Sequence, residues 1–213
     1  MQFTELLSNV PSPLKEAIHT FELEKGKFLL EQGSYPSYVY ILIDGEVRAY
    51  HSSASGQEFL LGIFHRNELF GELEVQTKTP VFASVKCLED SVFIRIPHEV
   101  YFELFRAVPE FAIHVNMQIC RRNINASSRM VEHNFFPLEY HVVKYIVACT
   151  EDMKESSMRL NKKEVALFLG TCLRSLNRIL KQLQDGRLIE IKKNVLYVLD
   201  KNQMNMILSK NFR

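Results

Sequence analysis

The chain has 213 residues, and 46% of them are hydrophobic, so it can bury a substantial core and is long enough for two domains. Its formal net charge is only +1, but from Glu139 onward 14 Lys and Arg face 8 Asp and Glu. A basic C-terminal part beside an acidic remainder predicts that one domain meets nucleic acid. No apolar run reaches membrane-spanning length and the N-terminus lacks the pattern of a signal peptide, which favours a cytoplasmic protein without a membrane partner.

The cysteines and histidines argue against a metal or disulfide framework. The four cysteines lie far apart in the sequence and include no C-x-x-C pair: Cys87, Cys120, Cys149 and Cys172. This spacing favours reduced thiols over disulfides, structural zinc or a compact iron–sulfur cluster. The seven histidines show no metal-ligand spacing either. We therefore expect no metal site and no cofactor.

Six of the eight glycines fall between Gly26 and Gly71, which predicts turn-rich β-structure in the N-terminal half, after a short helical entry at 4–19. The predicted strands are Phe21–Glu24, Lys27–Leu30, Tyr38–Ile43, Glu46–His51, Glu58–Phe64, Ala83–Cys87 and Ser91–Ile96. Between two of them, Asp44-Gly45 is typical of a type I′ hairpin turn. Many short antiparallel strands joined by turns predict a jelly roll or β-roll.

Helices follow the strands. A short helix is predicted at Pro97–Ala107, and a longer one runs from Pro109 to about His133. The longer helix carries a seam with 4-3-4-3-4 spacing, which favours pairing with a second copy: Ile113, Met117, Cys120, Ile124, Ser127 and Val131. Next, Phe135, Phe136 and Pro137 break the helix, and we interpret them as a hinge into a second domain.

The C-terminal part begins with an amphipathic helix at Leu138–Cys149 and a polar loop at Thr150–Ser157, and it ends with a helix at Asp200–Lys210. Between them, Asn161 is a predicted N-cap, and Gly170 ends that short helix in a tight turn. The apolar positions of the next helix step by three and four: Leu173, Leu176, Ile179, Leu180 and Leu183.

A predicted strand pair, Ile189–Ile191 and Val195–Leu199, then flanks the basic tip Lys192-Lys193-Asn194. Together with the two short helices, this pattern predicts a winged helix-turn-helix. The alternative is a helical hairpin with a solvated charged face, but that structure would not require the basic wing.

Basic and polar side chains of this unit are the candidate DNA contacts. Arginine donates two hydrogen bonds to guanine in the major groove, so the base-reading candidates are Arg174, Ser175 and Arg178. Helix N-termini and exposed lysines suit phosphate, so the phosphate and wing candidates are Asn161, Lys162, Thr171, Lys181, Lys192 and Lys193.

Two segments of the N-terminal half carry a family resemblance. Gly33–Val47 looks like the cyclic-nucleotide-binding β-roll, and Phe70-Gly71-Glu72-Leu73 looks like the start of its phosphate-binding cassette. With the winged helix, the chain resembles the cAMP receptor protein/FNR (Crp/Fnr) superfamily of bacterial transcription regulators, including its YeiL-type branch. The resemblance implies an α+β protein with a cyclic-nucleotide-binding-like jelly roll at 1–108, a dimerisation helix and hinge at 109–136, and a winged helix-turn-helix at 137–213.

The resemblance also implies partners. A homodimer that is parallel through the long helix would place two reading helices in successive major grooves, so we expect an inverted repeat in double-stranded DNA. RNA polymerase is a further candidate partner of such a regulator. In cAMP receptor proteins the base readers include Arg, Glu and Arg. The matching positions here are Leu173, Arg174 and Arg178, so a different operator sequence is expected.

The candidate effector pocket departs from the cAMP-binding pattern. Its residues, placed by the resemblance, are Gly71, Glu72, Leu73, Val81, Phe82, Ala83 and Ser127. Cassettes that bind cAMP carry an Arg-Ser pair before Ala, and here Val81 and Phe82 replace both. Losing a charge-assisted phosphate contact costs about 1.5–3 kcal/mol. We therefore expect no response to cAMP. The FNR cysteine cluster is also missing, because the first cysteine is Cys87, so the effector stays unknown.

A jelly roll can also be a cupin-like protein that binds small molecules or metals or catalyses a reaction, but that requires clustered His-x-His and Glu ligands, which the sequence lacks. We therefore expect no enzyme.

Cys172 precedes the reading helix, where the helix dipole lowers a thiol pKa. It is either a redox-sensitive thiol or a small residue of the turn.

Overall fold

The computed structural model describes residues 2–54, 56, 58–150 and 156–210. The chain divides after Ile124 into an N-terminal and a C-terminal compact unit. None of the helices in these ranges is long and apolar enough to cross a membrane.

The N-terminal unit contains two four-stranded antiparallel sheets, which confirms the predicted jelly roll. Its strands are β1 (His19–Leu23), β2 (Phe28–Leu30), β3 (Tyr38–Asp44), β4 (Val47–Ser52), β5 (Glu58–Phe64), β6 (Glu68–Phe70), β7 (Ser84–Cys87) and β8 (Ser91–Pro97). One sheet has the order β1-β8-β3-β6, and the other has the order β2-β7-β4-β5.

Helices cover one face of the first sheet. They are α1 (Phe3–Ser8), α2 (Ser12–Lys15), α3 (Glu72–Thr77), α4 (His98–Ala107) and α5 (Pro109–Phe135), the last of which continues beyond the N-terminal unit. Val39 and Ile41 of β3 pack with α1, α4 and the first half of α5, whereas Leu42 packs between the sheets with Val47 and Phe93. Because β3 is buried on both faces, its sequence is a nearly continuous apolar run.

The predicted Asp44-Gly45 hairpin is wrong. β3 and β4 belong to different sheets, so this turn carries the chain from one sheet to the other. Only Gly45 has a positive φ, at 103°, and a Cβ there would lie 2.8 Å from the Cα of Ser91. Glycine is therefore required for close approach as well as for backbone conformation. The sequence prediction also missed β6 and α3, which occupy Glu68–Thr77.

The C-terminal unit contains α6 (Leu138–Thr150), β9 (Ser157–Arg159), α7 (Lys162–Phe168), α8 (Leu173–Asp185), β10 (Ile189–Lys192), β11 (Val195–Val198) and α9 (Lys201–Lys210). β9 adds to the wing, so the predicted strand pair is a three-stranded sheet of order β10-β11-β9. Of the predicted polar loop, residues 151–155 lie outside the described residues.

Local chemistry fixes the ends of the short helices in this unit. The Asn161 side chain accepts hydrogen bonds from the amides of Lys163 and Glu164, which caps α7 as predicted. Gly170 takes a φ of 61° in the turn before α8. At the wing tip, Lys193 and Asn194 both have positive φ, the geometry of a two-residue type I′ turn. A buried cluster centred on Leu176, Leu180 and Leu196 holds the unit together.

Candidate nucleic-acid interface and effector pocket

The α8 helix has one buried and one exposed face. Four apolar side chains pack into the core: Leu176, Ile179, Leu180 and Leu183. Asp185 is exposed at the C-terminal end of the opposite side. Nearer the N-terminus, the same side includes four exposed polar residues: Arg174, Asn177, Arg178 and Lys181. Within the described part of the chain, no carboxylate forms an ion pair with the three cations of this face. We call these four residues the α8 polar face.

Ser175 lies apart from that face. It is half-buried, and its hydroxyl accepts a hydrogen bond from the Cys172 thiol at 3.3 Å. Cys172 itself is the exposed N-cap of α8. The hydroxyl and the backbone amide of Ser175 can donate to the thiolate form, which lowers the pKa of the Cys172 thiol below its ordinary value. Ser175 is thus a predicted base reader whose hydroxyl is already engaged within the turn.

The predicted phosphate contacts occupy the N-terminus of α7, the turn and the wing. Asn161 and Lys162 are exposed, while Thr171 is half-buried and its amide donates to the carbonyl of Ala166 at 2.9 Å. Both wing lysines are exposed, but they differ in environment. Lys192 lies 2.8 Å from the Glu190 carboxylate, which raises the pKa of its ammonium group.

The predicted seam of α5 is exposed along its whole length. Ile124 is 65% exposed, and the five other seam residues are exposed as well: Ile113, Met117, Cys120, Ser127 and Val131. The side of α5 that packs on the roll consists of other residues, with Phe111, Val115 and Gln118 buried. The N-terminal half of α5 therefore has two distinct faces, and one of them is an exposed, largely apolar stripe.

The predicted hinge is a two-residue link between α5 and α6. Phe135 ends α5 and is 77% exposed, whereas the Phe136 ring stacks on Tyr140 with centroids 4.2 Å apart. The carbonyl of Pro137 accepts from the Tyr140 amide at 3.0 Å. Across this link, Lys144 Nζ lies 2.7 Å from Glu132 Oε1, so an exposed ion pair also spans the link.

In the roll, the cassette glutamate is held by an arginine of α5. Nη1 of Arg122 lies 2.8 Å from Oε1 of Glu72, and its Nη2 lies 2.6 Å from Oε2 of Glu68. The guanidinium also sits 5.4 Å from the Phe64 ring centroid and 5.5 Å from that of Phe70. Burial raises the pKa of Glu72 to about 7, although the arginine opposes this shift.

The other predicted pocket residues divide into buried and exposed groups. Val81 is 2% exposed and packs in the core between the sheets, and its amide and carbonyl both bond to the Gly33-Ser34 turn. Phe82 is 61% exposed and stacks on His51, whose Nδ1 lies 2.7 Å from the Phe82 carbonyl oxygen. A core valine and an exposed phenylalanine therefore occupy the two positions where the resemblance expects a phosphate-binding Arg-Ser pair.

The remaining members of that set vary in role. Gly71 has a φ of 83°, and a Cβ there would lie 3.0 Å from the carbonyl oxygen of Tyr38, so it serves the fold. Leu73 is exposed and Ala83 is half-buried. The Glu74 carboxylate accepts a hydrogen bond from the backbone amide of Phe82, so it connects the segment that follows Gly71 with the segment at 81–83. Ser127 is an exposed residue of the C-terminal unit.

Sequence reasoning missed Asn177, Glu68 and Arg122 as site residues. Asn177 had a usable signal, because it lies three residues after Arg174 on the side opposite the leucines. Arg122 and Glu68 are 54 residues apart, and only the fold brings them together. Among the described residues, no group of three or more His, Cys, Asp or Glu side chains is arranged to hold a metal ion.

Comparisons with known proteins identify both units. The family model of the cyclic nucleotide-binding domain matches residues 20–107, and that of the Crp-like helix-turn-helix domain matches residues 141–207. The cyclic AMP receptor protein of Thermus thermophilus is 23% identical over 78% of this chain and 77% of its own length. Regulatory protein YeiL of Escherichia coli O157:H7 is 25% identical over 79% of this chain and 76% of its own length.

A solved structure shows the same fold. The c-di-GMP-responsive global regulator CLP of Xanthomonas campestris superposes with a TM-score of 0.77 at 16% identity, covering 93% of this chain and all of that one. The α+β architecture predicted from the sequence, with a roll, a long helix and a C-terminal helix-turn-helix, is confirmed. The chain therefore belongs to the Crp/Fnr superfamily, a family of DNA-binding transcription regulators rather than enzymes.

Proposed function

We propose that this protein binds an inverted-repeat operator as a homodimer and does so without cAMP. The observation that carries the proposal is the α8 polar face, which presents three cations without protein partners among the described residues. A helix with this exposed side, supported by a leucine core and a basic wing, suits the major groove of DNA. Cations left free of protein carboxylates are available to phosphates and to guanine edges.

The dimer is proposed from the exposed seam of α5. Its apolar members Ile113, Met117, Ile124 and Val131 face solvent in the single chain and recur at coiled-coil spacing. Pairing two such helices in parallel removes this stripe from water and brings two α8 helices into one assembly. In this proposal, 109–136 serves as dimerisation helix and hinge between a sensor at 1–108 and a DNA-binding domain at 137–213. RNA polymerase is the proposed further partner.

We propose independence from cAMP because Val81 and Phe82 occupy the positions where cAMP-binding cassettes carry their phosphate-binding Arg-Ser pair. Val81 is buried in the core, and the uncharged Phe82 side chain cannot neutralise a phosphate. Arg122, which holds the cassette residue Glu72, is already bonded to two carboxylates. A cyclic nucleotide would have to replace these pairs, which a charge-assisted contact of about 1.5–3 kcal/mol does not offset.

Regulation is proposed to act through the α5–α6 link. An effector of the roll would change the population of α8 orientations that match two successive major grooves. Replacing Pro137 with glycine loosens this link, so we expect weaker coupling between effector and DNA affinity at unchanged dimer mass. Unchanged coupling would argue against this hinge.

The test combines assembly and DNA binding. Sedimentation of the purified chain should give a dimer, and Ile124→Asp should give a monomer with lower operator affinity. Operator affinity of the intact dimer should fall about tenfold or more in Arg174→Ala, because both half-sites lose a cation. Lys201→Ala, which removes an exposed cation from α9, is the charge-matched control. A monomeric wild type, or equal losses in both arginine and lysine variants, would contradict the proposal.

A further inference from the structure

The α8 polar face contains one uncharged residue, Asn177. It is exposed, it lies three residues after Arg174 and directly before Arg178, and the next residue along this row is Lys181. At about 100° per residue, positions 174, 177, 178 and 181 share one side of the helix, opposite Leu176, Ile179, Leu180 and Leu183. Asn177 thus borders the surface that the two arginines present, about 60° from Arg174 and about 100° from Arg178 around the helix axis.

The chemistry of an asparagine side chain at this place is specific. Its amide oxygen accepts a hydrogen bond while its amide nitrogen donates one, which matches the N6 donor and N7 acceptor of adenine in the major groove. An arginine presents donors only and matches guanine. Solvated helix surfaces also carry asparagines, but Asn177 forms no side-chain hydrogen bond to any other described residue that would use this capacity within the protein.

From this geometry we infer that Asn177 is a specificity-determining residue that reads an adenine in each half-site. Asn177 directly precedes Arg178 on α8. We therefore expect the adenine to lie close to the guanine contacted by Arg178. This inference deepens the proposed function and rests on it, because it requires α8 to occupy the major groove.

Ser175 is replaced in this role by Asn177. The Ser175 hydroxyl accepts from Cys172 and the residue is half-buried, whereas Asn177 is exposed on the same side as both arginines. Lys181 lies one turn further along α8 and, as a flexible point charge, suits a phosphate. The half-site is thus read by guanine contacts from Arg174 and Arg178 and by an adenine contact from Asn177.

The experiment is selection of bound duplexes from a library randomised over two half-sites, with wild type, Asn177→Ala, Asn177→Asp and Lys181→Ala. The wild type should enrich an adenine beside a guanine in each half-site. Asn177→Ala should lose base preference at that position alone, with discrimination falling about 5- to 150-fold. Asn177→Asp keeps the acceptor and loses the donor, so it should prefer cytosine there, whose N4 group donates.

The controls separate the inference from the function on which it rests. Lys181→Ala should lower affinity for all sequences and leave every base preference unchanged, and circular dichroism should show all variants folded. If the wild type enriches an inverted repeat but both Asn177 variants enrich the same bases, the inference is wrong and the proposed function stands. If the wild type enriches no sequence at all, both are wrong.

Discussion

Charged side chains are arranged in opposite ways in the two units. In the roll, Arg122 of α5 is only partly exposed and bonded to Glu68 and Glu72, and the Glu72 side chain is only 3% exposed. On α8, Arg174, Arg178 and Lys181 are exposed, and none of the described carboxylates pairs with them. The first arrangement attaches a helix to a sheet, and the second leaves charge available to a ligand.

This difference shows why net charge alone says little about function. Removing a partner from a buried pair leaves an uncompensated charge in the fold, so its effect appears in stability. Removing an exposed cation changes stability little, and its effect appears in DNA affinity and in the salt dependence of that affinity. The following variants test this separation.

The largest effect is expected for Arg122→Ala. At pH 8 it leaves Glu72 buried without its cation, so the free energy of unfolding should fall by about 3 kcal/mol. Denaturant titration followed by circular dichroism measures the change. Arg121→Ala, the exposed neighbour, is the matched control and should alter stability by less than about 0.5 kcal/mol. Equal losses in the two variants would show that the Arg122 pairs do not stabilise the roll.

A second effect concerns pH. The pKa of Glu72 is raised to about 7 in the fold from an ordinary 4.5, so the folded state binds the proton more tightly. The stabilisation from this group is therefore complete below about pH 4.5 and is lost as the pH rises through 7, by at most about 3 kcal/mol. Glu72→Gln keeps the shape without the titration. Its unfolding free energy should decline less than that of the wild type between pH 5 and 8, and identical pH profiles would contradict the assignment.

On the DNA side, Arg178→Ala should relax selection of one guanine per half-site. The expected loss of discrimination is about 1–3 kcal/mol, with the melting temperature of the free protein nearly unchanged. Competition binding against operators substituted at single positions measures it. Lys181→Ala should instead weaken binding to all sequences alike and reduce the salt slope by about 2, because the dimer loses one phosphate contact in each half-site. A melting temperature that falls with Arg178→Ala would place this residue with the paired charges of the roll.

The smallest effect separates the two wing lysines. Lys193 has no carboxylate partner among the described residues, whereas Lys192 is paired with Glu190 at 2.8 Å. Lys193→Ala should therefore reduce the salt slope of DNA binding by about 1.8, about 0.9 for each copy in the dimer, and Lys192→Ala should reduce it less. Glu190→Gln should strengthen binding, because it frees Lys192. If the salt slope falls more in Lys192→Ala than in Lys193→Ala, DNA must displace Glu190 from Lys192.

Local chemistry made much of the DNA-binding unit predictable. Three features of this unit depend only on residues that are close together in the sequence, and the structure contains all three. They are the Asn161 cap, the Gly170 turn and the leucine spacing of α8. The third wing strand was missed because Ser157–Arg159 is short and adjoins a polar stretch. Charge patterning did not indicate Asn177, because its side chain is a neutral amide that adds nothing to the basic character of the helix.

The roll was predictable as a set of strands but not in its pairing. Asp44-Gly45 has the local signature of a hairpin turn, yet Gly45 is needed because the chain passes close to Ser91 while changing sheets. The environment of Glu72 was equally unpredictable from the sequence, since its partner Arg122 is 50 residues away on α5. Contacts of this range depend on topology, which short patterns do not encode.

The most direct test of the account is a footprint of the purified protein on its own upstream region, with and without cAMP, at two salt concentrations. We predict salt-sensitive protection of two inverted half-sites with centres one helical turn apart. This protection should be the same with and without cAMP, and it should disappear in Arg174→Ala. Protection that appears only with cAMP would contradict the account, because Val81 and Phe82 would then not prevent nucleotide binding.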